Sequence, residues 1–220
     1  MVVSTTNKRV SYSEAAQILA AQDPVLARLV KDAGPMRLPR SRLSPFGALV
    51  QAIVYQQLAG AAARAIHGRL VDAMGGDVTP EALLALSDET LRAVGLSAAK
   101  VRSLRDLATK VLDGTVVVSP RRLARQSDEE VTRRLTTVRG IGPWSADMFL
   151  MFQLRRLDVW PVGDFGVRNG YGLAWKVPMP TPRELEPLGD RFRPYRTVVA
   201  WYCWRAVELY AGAADSALTR

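Results

Sequence analysis

We predict an all-α protein from two features of the sequence: repeated signals for helix starts, and apolar residues at helical spacing between them. Five times along the chain, a residue whose side chain can cap a helix is followed directly by proline. The cap accepts a backbone N–H at the helix start, and proline has no N–H to leave unpaired there. The 220 residues suffice for one compact domain or two small subdomains. We expect about ten short helices.

The helix starts divide the chain in order. The five pairs of a capping residue and proline are Asp23-Pro24, Ser44-Pro45, Thr79-Pro80, Ser119-Pro120 and Thr181-Pro182. A sixth start is predicted at Ser127, where Ser127-Asp128-Glu129-Glu130 is typical of a capping box. Two apolar sets have the spacing of one helix face: Phe46, Leu49, Val50, Ile53 and Val54, and then Val101, Leu104, Leu107, Ala108 and Val111. Only Thr115 to Val118 looks like a strand, and it is too short to found a sheet.

The composition favours some classes of partner and excludes some classes of site. A net charge of +9 indicates a polyanionic partner, nucleic acid first, although a solvated basic surface is the plainer alternative. With one cysteine, Cys203, an intrachain disulfide and a four-cysteine zinc or iron–sulfur site are excluded, and the lone His67 excludes a histidine metal site. The chain has no apolar run of membrane-spanning length, and its polar first nine residues do not look like a signal peptide. We therefore expect an intracellular, cytoplasmic protein.

The segment from Leu135 to Asp147 has the richest local pattern. Gly140 and Gly142 flank one apolar residue in a tight turn, and a proline then opens the next helix. Glycines leave the backbone amides open to a phosphate, and a helix start adds free N–H groups and a positive dipole end. Such contacts position a protein on DNA without reading its sequence. From these residues alone, an ordinary helix–helix turn with a glycine C-cap remains the alternative.

On these residues the chain resembles the helix-hairpin-helix DNA glycosylase superfamily, most of all its bacterial 3-methyladenine DNA glycosylase II branch. The second hallmark of that superfamily, a glycine/proline-rich loop ending in aspartate, is matched by the segment 160–168, with Asp164 placed 22 residues after Gly142. Further matches are 46–58 with its Gln56-Gln57 pair, 95–100 and 196–204. The resemblance implies one glycosylase unit of two helical lobes with a basic cleft between them. The central lobe covers about 44–157, and the other about 11–43 plus 158–220.

The resemblance also implies how the protein holds its substrate, double-stranded DNA with alkylated bases. Its predicted DNA-binding residues are Gly140, Ile141, Gly142, Ser145, Gln56 and Gln57. The backbone carbonyls of Thr136, Val138 and Gly140 could hold a monovalent cation, Na⁺ or K⁺, because carbonyls at a helix end lack intrahelical donors. No cofactor is expected to be required, and we expect a monomer associated with the bacterial nucleoid and not with a membrane.

Asp164 is the predicted catalytic residue. A carboxylate just after Gly163 would lie where a helix begins, and the positive dipole end there stabilises negative charge. An anionic carboxylate can stabilise the positive charge that grows on the sugar as a glycosidic bond breaks, and it can orient water. Taken by itself, Asp164 would be interpreted as a helix cap without catalytic role, and the hairpin 22 residues upstream favours catalysis.

Trp144 separates the subclasses of the superfamily. Glycosylases that also cleave the DNA backbone carry a lysine nucleophile at this position, and tryptophan cannot form a Schiff base. The resemblance therefore implies a monofunctional enzyme that leaves an abasic site. It also places Trp144, Trp204 and Met148 in the base pocket, where aromatic rings attract the positive charge of an alkylated purine.

Departures from the pattern leave alternatives open. In the superfamily, a wedge side chain fills the gap that the flipped base leaves in the duplex. The resemblance places this wedge near Ala98, which is too small, and Gln56, Gln57 or Leu96 could serve instead. Ala59 stands where relatives often have serine, and Met148 where some have an aromatic residue. The alternatives are a glycosylase of the same fold for oxidised or mismatched bases, and a non-catalytic helix-hairpin-helix module.

Overall fold

The computed structural model describes residues 10–217, with side chains described for 10–211. The prediction of an all-α fold is confirmed over this range, where the chain forms thirteen α-helices, one π-helical turn and one 3-10 turn and contains no strand. The polar amino-terminal nine residues lie outside the described part of the chain. Within the described part, no helix has the length and hydropathy needed to cross a membrane.

The helices group into two compact units. The central unit is Pro39–Arg155, and the terminal unit combines Met1–Leu38 with Arg156–Arg220. The central unit contains α3 (Pro45–Tyr55), α4 (Gly60–Ala73), α5 (Pro80–Ala85), α6 (Asp88–Ala93), α7 (Ala98–Leu112), α8 (Pro120–Leu123), α9 (Asp128–Leu135), α10 (Pro143–Met148) and a π-helical turn (Phe149–Gln153). The terminal unit contains α1 (Tyr12–Gln22), α2 (Pro24–Ala33), α11 (Phe165–Trp175), α12 (Pro182–Leu188), a 3-10 turn (Asp190–Phe192) and α13 (Arg196–Ala217).

The predicted helix starts are found where the capping chemistry placed them. Helices α2, α3, α5, α8 and α12 each begin at the proline of a predicted pair. Ser127 caps α9 by accepting the N–H of Glu130, whereas the Glu130 carboxylate accepts hydrogen bonds from Gln126 and Arg134. The segment 115–118, the one stretch with strand-like sequence, is a bend and loop. Its Val116 N–H donates to the Lys110 carbonyl, and no extended neighbour is described with which it could pair.

Helix α7 is the central support of its unit. The apolar positions Val101, Leu104, Leu107 and Ala108 are buried, as their spacing predicted. At the start of the helix, the Lys100 ammonium donates to the carbonyls of Val54 and Gln56, 2.7 and 2.8 Å away. A lysine on the last carbonyls of a helix satisfies groups that have no intrahelical donor. Lys100 therefore fixes the corner at which α3 ends.

The terminal unit is built on the close pairing of α11 with α13. At Gly170 the two helices approach so closely that a Cβ atom would lie 1.8 Å from the carbonyl oxygen of Cys203. Only glycine leaves enough space at this crossing. Helix α2 joins the same core, since Tyr202 donates to the Gly34 carbonyl and Arg28 donates to the Ala174 carbonyl. The pairing of α11 with α13 brings residues from distant parts of the sequence together.

Candidate functional site

The predicted hairpin joins α9 to α10. Helix α9 ends at Leu135, the Ile141 N–H donates to the Val138 carbonyl, and Gly142 precedes Pro143 at the start of α10. Gly140 has φ +79°, a left-handed conformation that glycine adopts without strain. The conformation of the turn therefore requires glycine at Gly140, whereas Gly142 has φ −98°, which any residue can adopt.

Side chains from α3 and α7 hold this turn. The Gln56 amide Nε2 donates to the Gly140 carbonyl at 2.8 Å. The Asp106 carboxylate accepts the Arg139 backbone N–H at 2.7 Å, and the Lys110 ammonium donates both to Asp106 and to the Thr137 carbonyl. Burial alone would raise the pKa of Asp106, but the hydrogen bonds from Arg139 and Lys110 lower the pKa below its ordinary value. The carboxylate is therefore ionised at neutral pH.

A large cavity in the central unit lies beside the hairpin. Its volume is about 760 Å³, and it brings together Trp144, Ser145, Met148, Gln56 and Gln57, all of which the sequence singled out. Part of its wall is the π-helical turn that continues α10, in which Leu154 N–H donates to the Phe149 carbonyl five residues earlier. Such wide turns occur frequently at functional sites. Nothing in the sequence signalled this turn.

The cavity wall combines aromatic faces with amides. Trp144 is 49% exposed, and Tyr55, Phe149 and Phe152 contribute further rings. The one charged residue among those lining the cavity is Arg40, whose positive charge would repel a cationic ligand, and no carboxylate lies among the lining residues to attract one. A positively charged planar ligand would be attracted by the ring faces instead.

Asp164 lies in the terminal unit at the start of α11. Its Oδ1 accepts the Val167 backbone N–H at 2.8 Å, so it does cap the helix. The same oxygen accepts the indole N–H of Trp204, also at 2.8 Å. The residue is only 9% exposed. The carboxylate is thus held in one orientation by a helix start and an aromatic ring that comes from α13.

Trp204 has a partner that the sequence did not reveal. Sequence reasoning placed it in the base pocket with Trp144 and Met148, which belong to the central unit, whereas the structure pairs it with Asp164. The two residues are 40 positions apart, and they meet because Gly170 lets α11 and α13 pack closely. A base-stacking role for the Trp204 ring stays a prediction.

The corner between α3 and α4 exposes an apolar residue, Leu58, that sequence reasoning did not name. Leu96 is only 3% exposed, which removes it as a wedge. Gln57 is exposed and has φ +56°, and the neighbouring Leu58 is 37% exposed. An apolar side chain that projects from a strained turn was detectable only once the backbone conformation was known.

Two of the three backbone carbonyls predicted to bind a cation already accept hydrogen bonds. The Val138 carbonyl accepts from Ile141 N–H, and the Gly140 carbonyl from Gln56. Since a carbonyl oxygen has two lone pairs, one such bond does not exhaust it, and neutral oxygens suit Na⁺ or K⁺. In the described part of the chain, no group of three or more His, Cys, Asp or Glu side chains could hold a metal. The cation at Thr136, Val138 and Gly140 stays a prediction.

His67 is half-buried and Cys203 is fully buried. His67 lies edge-on against the Tyr55 ring, and burial lowers its pKa. Cys203 is fully buried in α13, and burial together with the nearby negative charge of Asp164 raises the pKa of its thiol.

A family profile and a known relative both match most of this chain. The family profile of the HhH-GPD superfamily base excision DNA repair proteins matches residues 50–194, a range that contains the hairpin and Asp164. The chain is 36% identical over 204 residues to DNA-3-methyladenine glycosylase 1 of Schizosaccharomyces pombe, covering 90% of this chain and 89% of that protein.

Two solved structures are similar over nearly their whole length. A DNA-3-methyladenine glycosidase from Bacillus halodurans has a TM-score of 0.83 at 36% identity, covering 91% of this chain and 92% of that one. The Schizosaccharomyces pombe 3-methyladenine DNA glycosylase in complex with abasic DNA has a TM-score of 0.78 at 35% identity, covering 89% and 97%.

Proposed function

This chain belongs to the HhH-GPD superfamily of base excision DNA repair proteins, and we propose that it is a monofunctional DNA glycosylase for alkylated bases. The observation that carries the proposal is the buried Asp164, whose Oδ1 is fixed by the α11 start and by Trp204. The reaction is hydrolysis of the N-glycosidic bond. Water adds to the sugar C1′, the base leaves with the bonding electrons, and an abasic site remains.

Asp164 acts on the sugar in this proposal. As the bond to the base breaks, positive charge develops on the sugar ring, and a preorganised carboxylate stabilises that charge without having to reorient. The contacts from Val167 N–H and Trp204 supply the preorganisation. The carboxylate can also accept a hydrogen bond from the attacking water, which orients its lone pair toward C1′.

The base is recognised through its charge. Alkylated purines such as 3-methyladenine and 7-methylguanine are cationic, and a tryptophan face attracts such a ring by roughly 0.5–2 kcal/mol. Trp144 and Met148 line a cavity whose volume of about 760 Å³ exceeds what a flipped purine needs. The positive charge also makes the base a good leaving group, so the enzyme needs no dedicated general acid.

The hairpin holds the DNA backbone. The amides around Gly140, Ile141 and Gly142, with Ser145 at the start of α10, would face a phosphate, and Gln57 would contact the strand from the neighbouring corner. Leu58 is the side chain that we propose to fill the gap left by the flipped base. A Na⁺ or K⁺ ion at the carbonyls of Thr136, Val138 and Gly140 would add positive charge beside the same phosphate.

The alternatives are disfavoured by single residues. A lyase for oxidised bases needs an amine nucleophile, and Trp144 has none. A non-catalytic DNA-binding module has no use for a buried carboxylate clamped by an indole N–H. We further propose that the enzyme acts as a monomer in the cytoplasm, where the bacterial chromosome lies.

The activity is tested with DNA treated with a methylating agent. We expect release of methylated purines, identified by mass spectrometry, and no strand break until the product is treated with alkali. A break without alkali would indicate a lyase. Tight binding without release from this DNA, followed by release from a duplex with an oxidised base, would replace the proposed substrate class.

A further inference from the structure

One face of α7 points at the hairpin. Ser103, Asp106 and Lys110 follow each other at helical spacings of three and four residues, so they share that face. Each contacts the turn between α9 and α10. Asp106 accepts the Arg139 N–H at 2.7 Å, Lys110 donates to the Thr137 carbonyl, and a Cβ on Gly140 would meet the Ser103 hydroxyl at 2.8 Å.

The negative charge of Asp106 indicates that this residue does not attract DNA. A carboxylate beside a turn that binds phosphate repels DNA, and at 2.7 Å from the Arg139 amide it lies well within the Debye length of about 10 Å at 0.1 M salt. Direct electrostatics therefore make Asp106 unfavourable for binding. The contacts it makes are with the backbone of the turn and with Lys110, at 2.9 Å. Its geometry suits holding the turn rather than attracting the ligand.

We propose that Asp106, assisted by Lys110 and Ser103, is a positioning residue that holds the hairpin turn in its DNA-binding conformation. This inference rests on the proposed function of the hairpin. Asp106 fixes the N–H of Arg139 and Lys110 fixes the carbonyl of Thr137, so the turn is held at two successive peptide groups before the glycines. Ser103 closes the space behind Gly140, which prevents the turn from collapsing toward α7.

Removing the Asp106 carboxylate changes DNA affinity in two opposite ways. The loss of negative charge should strengthen binding, and the loss of the contact with the turn should weaken it. Asp106→Ala removes a negative charge and the acceptor, whereas Asp106→Asn removes the charge and keeps an oxygen that accepts the Arg139 N–H. The side chain of Asp106 is 30% exposed and alanine is the better helix former, so α7 should stay intact. Asp113→Ala is the matched control, since Asp113 also accepts a backbone N–H, but that of Thr115 and not one of the hairpin.

The measurement is the Kd for an undamaged duplex as a function of salt, with the thermal midpoint recorded for each variant. We expect Asp106→Ala to bind DNA about 5–10-fold more weakly, although the variant carries more positive charge. This is the effect expected when the turn loses roughly one hydrogen bond that holds it in place. Asp106→Asn should stay within about twofold of the wild type, and Asp113→Ala should bind as well or better. The slope of log K against log salt should fall by about one for Asp106→Ala, as for a lost phosphate contact.

A second readout distinguishes this proposal from the function on which it rests. In single-turnover excision, Asp106→Ala should need about 5–10-fold more enzyme to reach half of its maximal rate, and Asp106→Asn should restore the wild-type requirement. Tighter or unchanged DNA binding by Asp106→Ala would overturn the positioning role. If the wild type excised no alkylated base, the proposed function would be wrong. The comparison of Kd between the wild type and the Asp106 variants would still decide the role of Asp106.

Discussion

The closest helix crossing of the terminal unit predicts a large effect of a single methyl group. In Gly170→Ala, the new Cβ would lie 1.8 Å from the Cys203 carbonyl oxygen, which is backbone and cannot rotate away. A carbon–oxygen contact needs at least about 3.3 Å, so α11 and α13 must separate by about 1.5 Å. Overpacking of this kind costs about 3 kcal/mol, more than the ~1 kcal/mol that alanine gains in helix propensity. At about 2–4 °C per kcal/mol, the midpoint of thermal unfolding should fall by roughly 4–8 °C.

The assay is thermal unfolding followed by circular dichroism, with Gly68→Ala as the control. Gly68 lies inside α4, and a Cβ there meets nothing within 4 Å, so its substitution should stabilise the protein by about 0.5–1 kcal/mol. The same residue change thus has opposite signs at two helical positions. The crossing also sets the contact of Trp204 with Asp164, so Gly170→Ala should lower excision as well. A Gly170→Ala protein as stable as Gly68→Ala would refute the packing argument.

Three further outcomes follow from named contacts. Trp204→Phe keeps an aromatic ring but removes the N–H that donates to Asp164. Single-turnover excision should fall about tenfold, while the Kd for undamaged DNA should change less than about twofold. An equal loss of binding would argue against a role for Trp204 in orienting Asp164. Leu58→Ala should slow excision and weaken lesion binding several-fold. The control, Leu112→Ala, truncates another exposed leucine and should leave both unchanged. Identical kinetics for the two variants would exclude Leu58 as the wedge. Burial and the negative charge of Asp164 raise the pKa of Cys203, so a thiol reagent at pH 8 should modify the native protein far more slowly than the unfolded one, and a rapid native reaction would contradict the burial.

Local chemistry explains which parts of the fold the sequence could predict. Five helix starts were predictable because proline suits the first helical position. At four of them the preceding side chain also accepts a backbone N–H, as Ser44 does from Gly47, whereas Ser119 makes no such bond. The buried face of α3 was predictable from its spacing alone. The strand-like stretch at 115–118 shows the limit of this approach, because a strand needs a partner that no local pattern supplies.

The missing parts of the site depend on contacts between distant residues. Trp204 meets Asp164 across 40 positions, Arg139 meets Asp106 across 33, and Gln56 meets Gly140 across 84. None of these pairs has a local signature, since each depends on how helices pack. The π-helical turn at Phe149–Gln153 is likewise a tertiary feature, because its wide backbone is favoured by packing rather than by propensity.

In the proposed mechanism the Asp164 carboxylate stabilises positive charge on the sugar, and Asp164→Asn removes this negative charge with little change in side-chain shape. Asparagine caps helices as well as aspartate and keeps an oxygen for Val167 and Trp204, so the variant should fold and bind DNA like the wild type. The measurement is the single-turnover release of 7-methylguanine from a defined duplex, together with the Kd and the thermal midpoint. We expect Asp164→Asn to release 7-methylguanine at least about 100-fold more slowly, with binding and stability nearly unchanged. Release at a rate within a few fold of the wild type would contradict it.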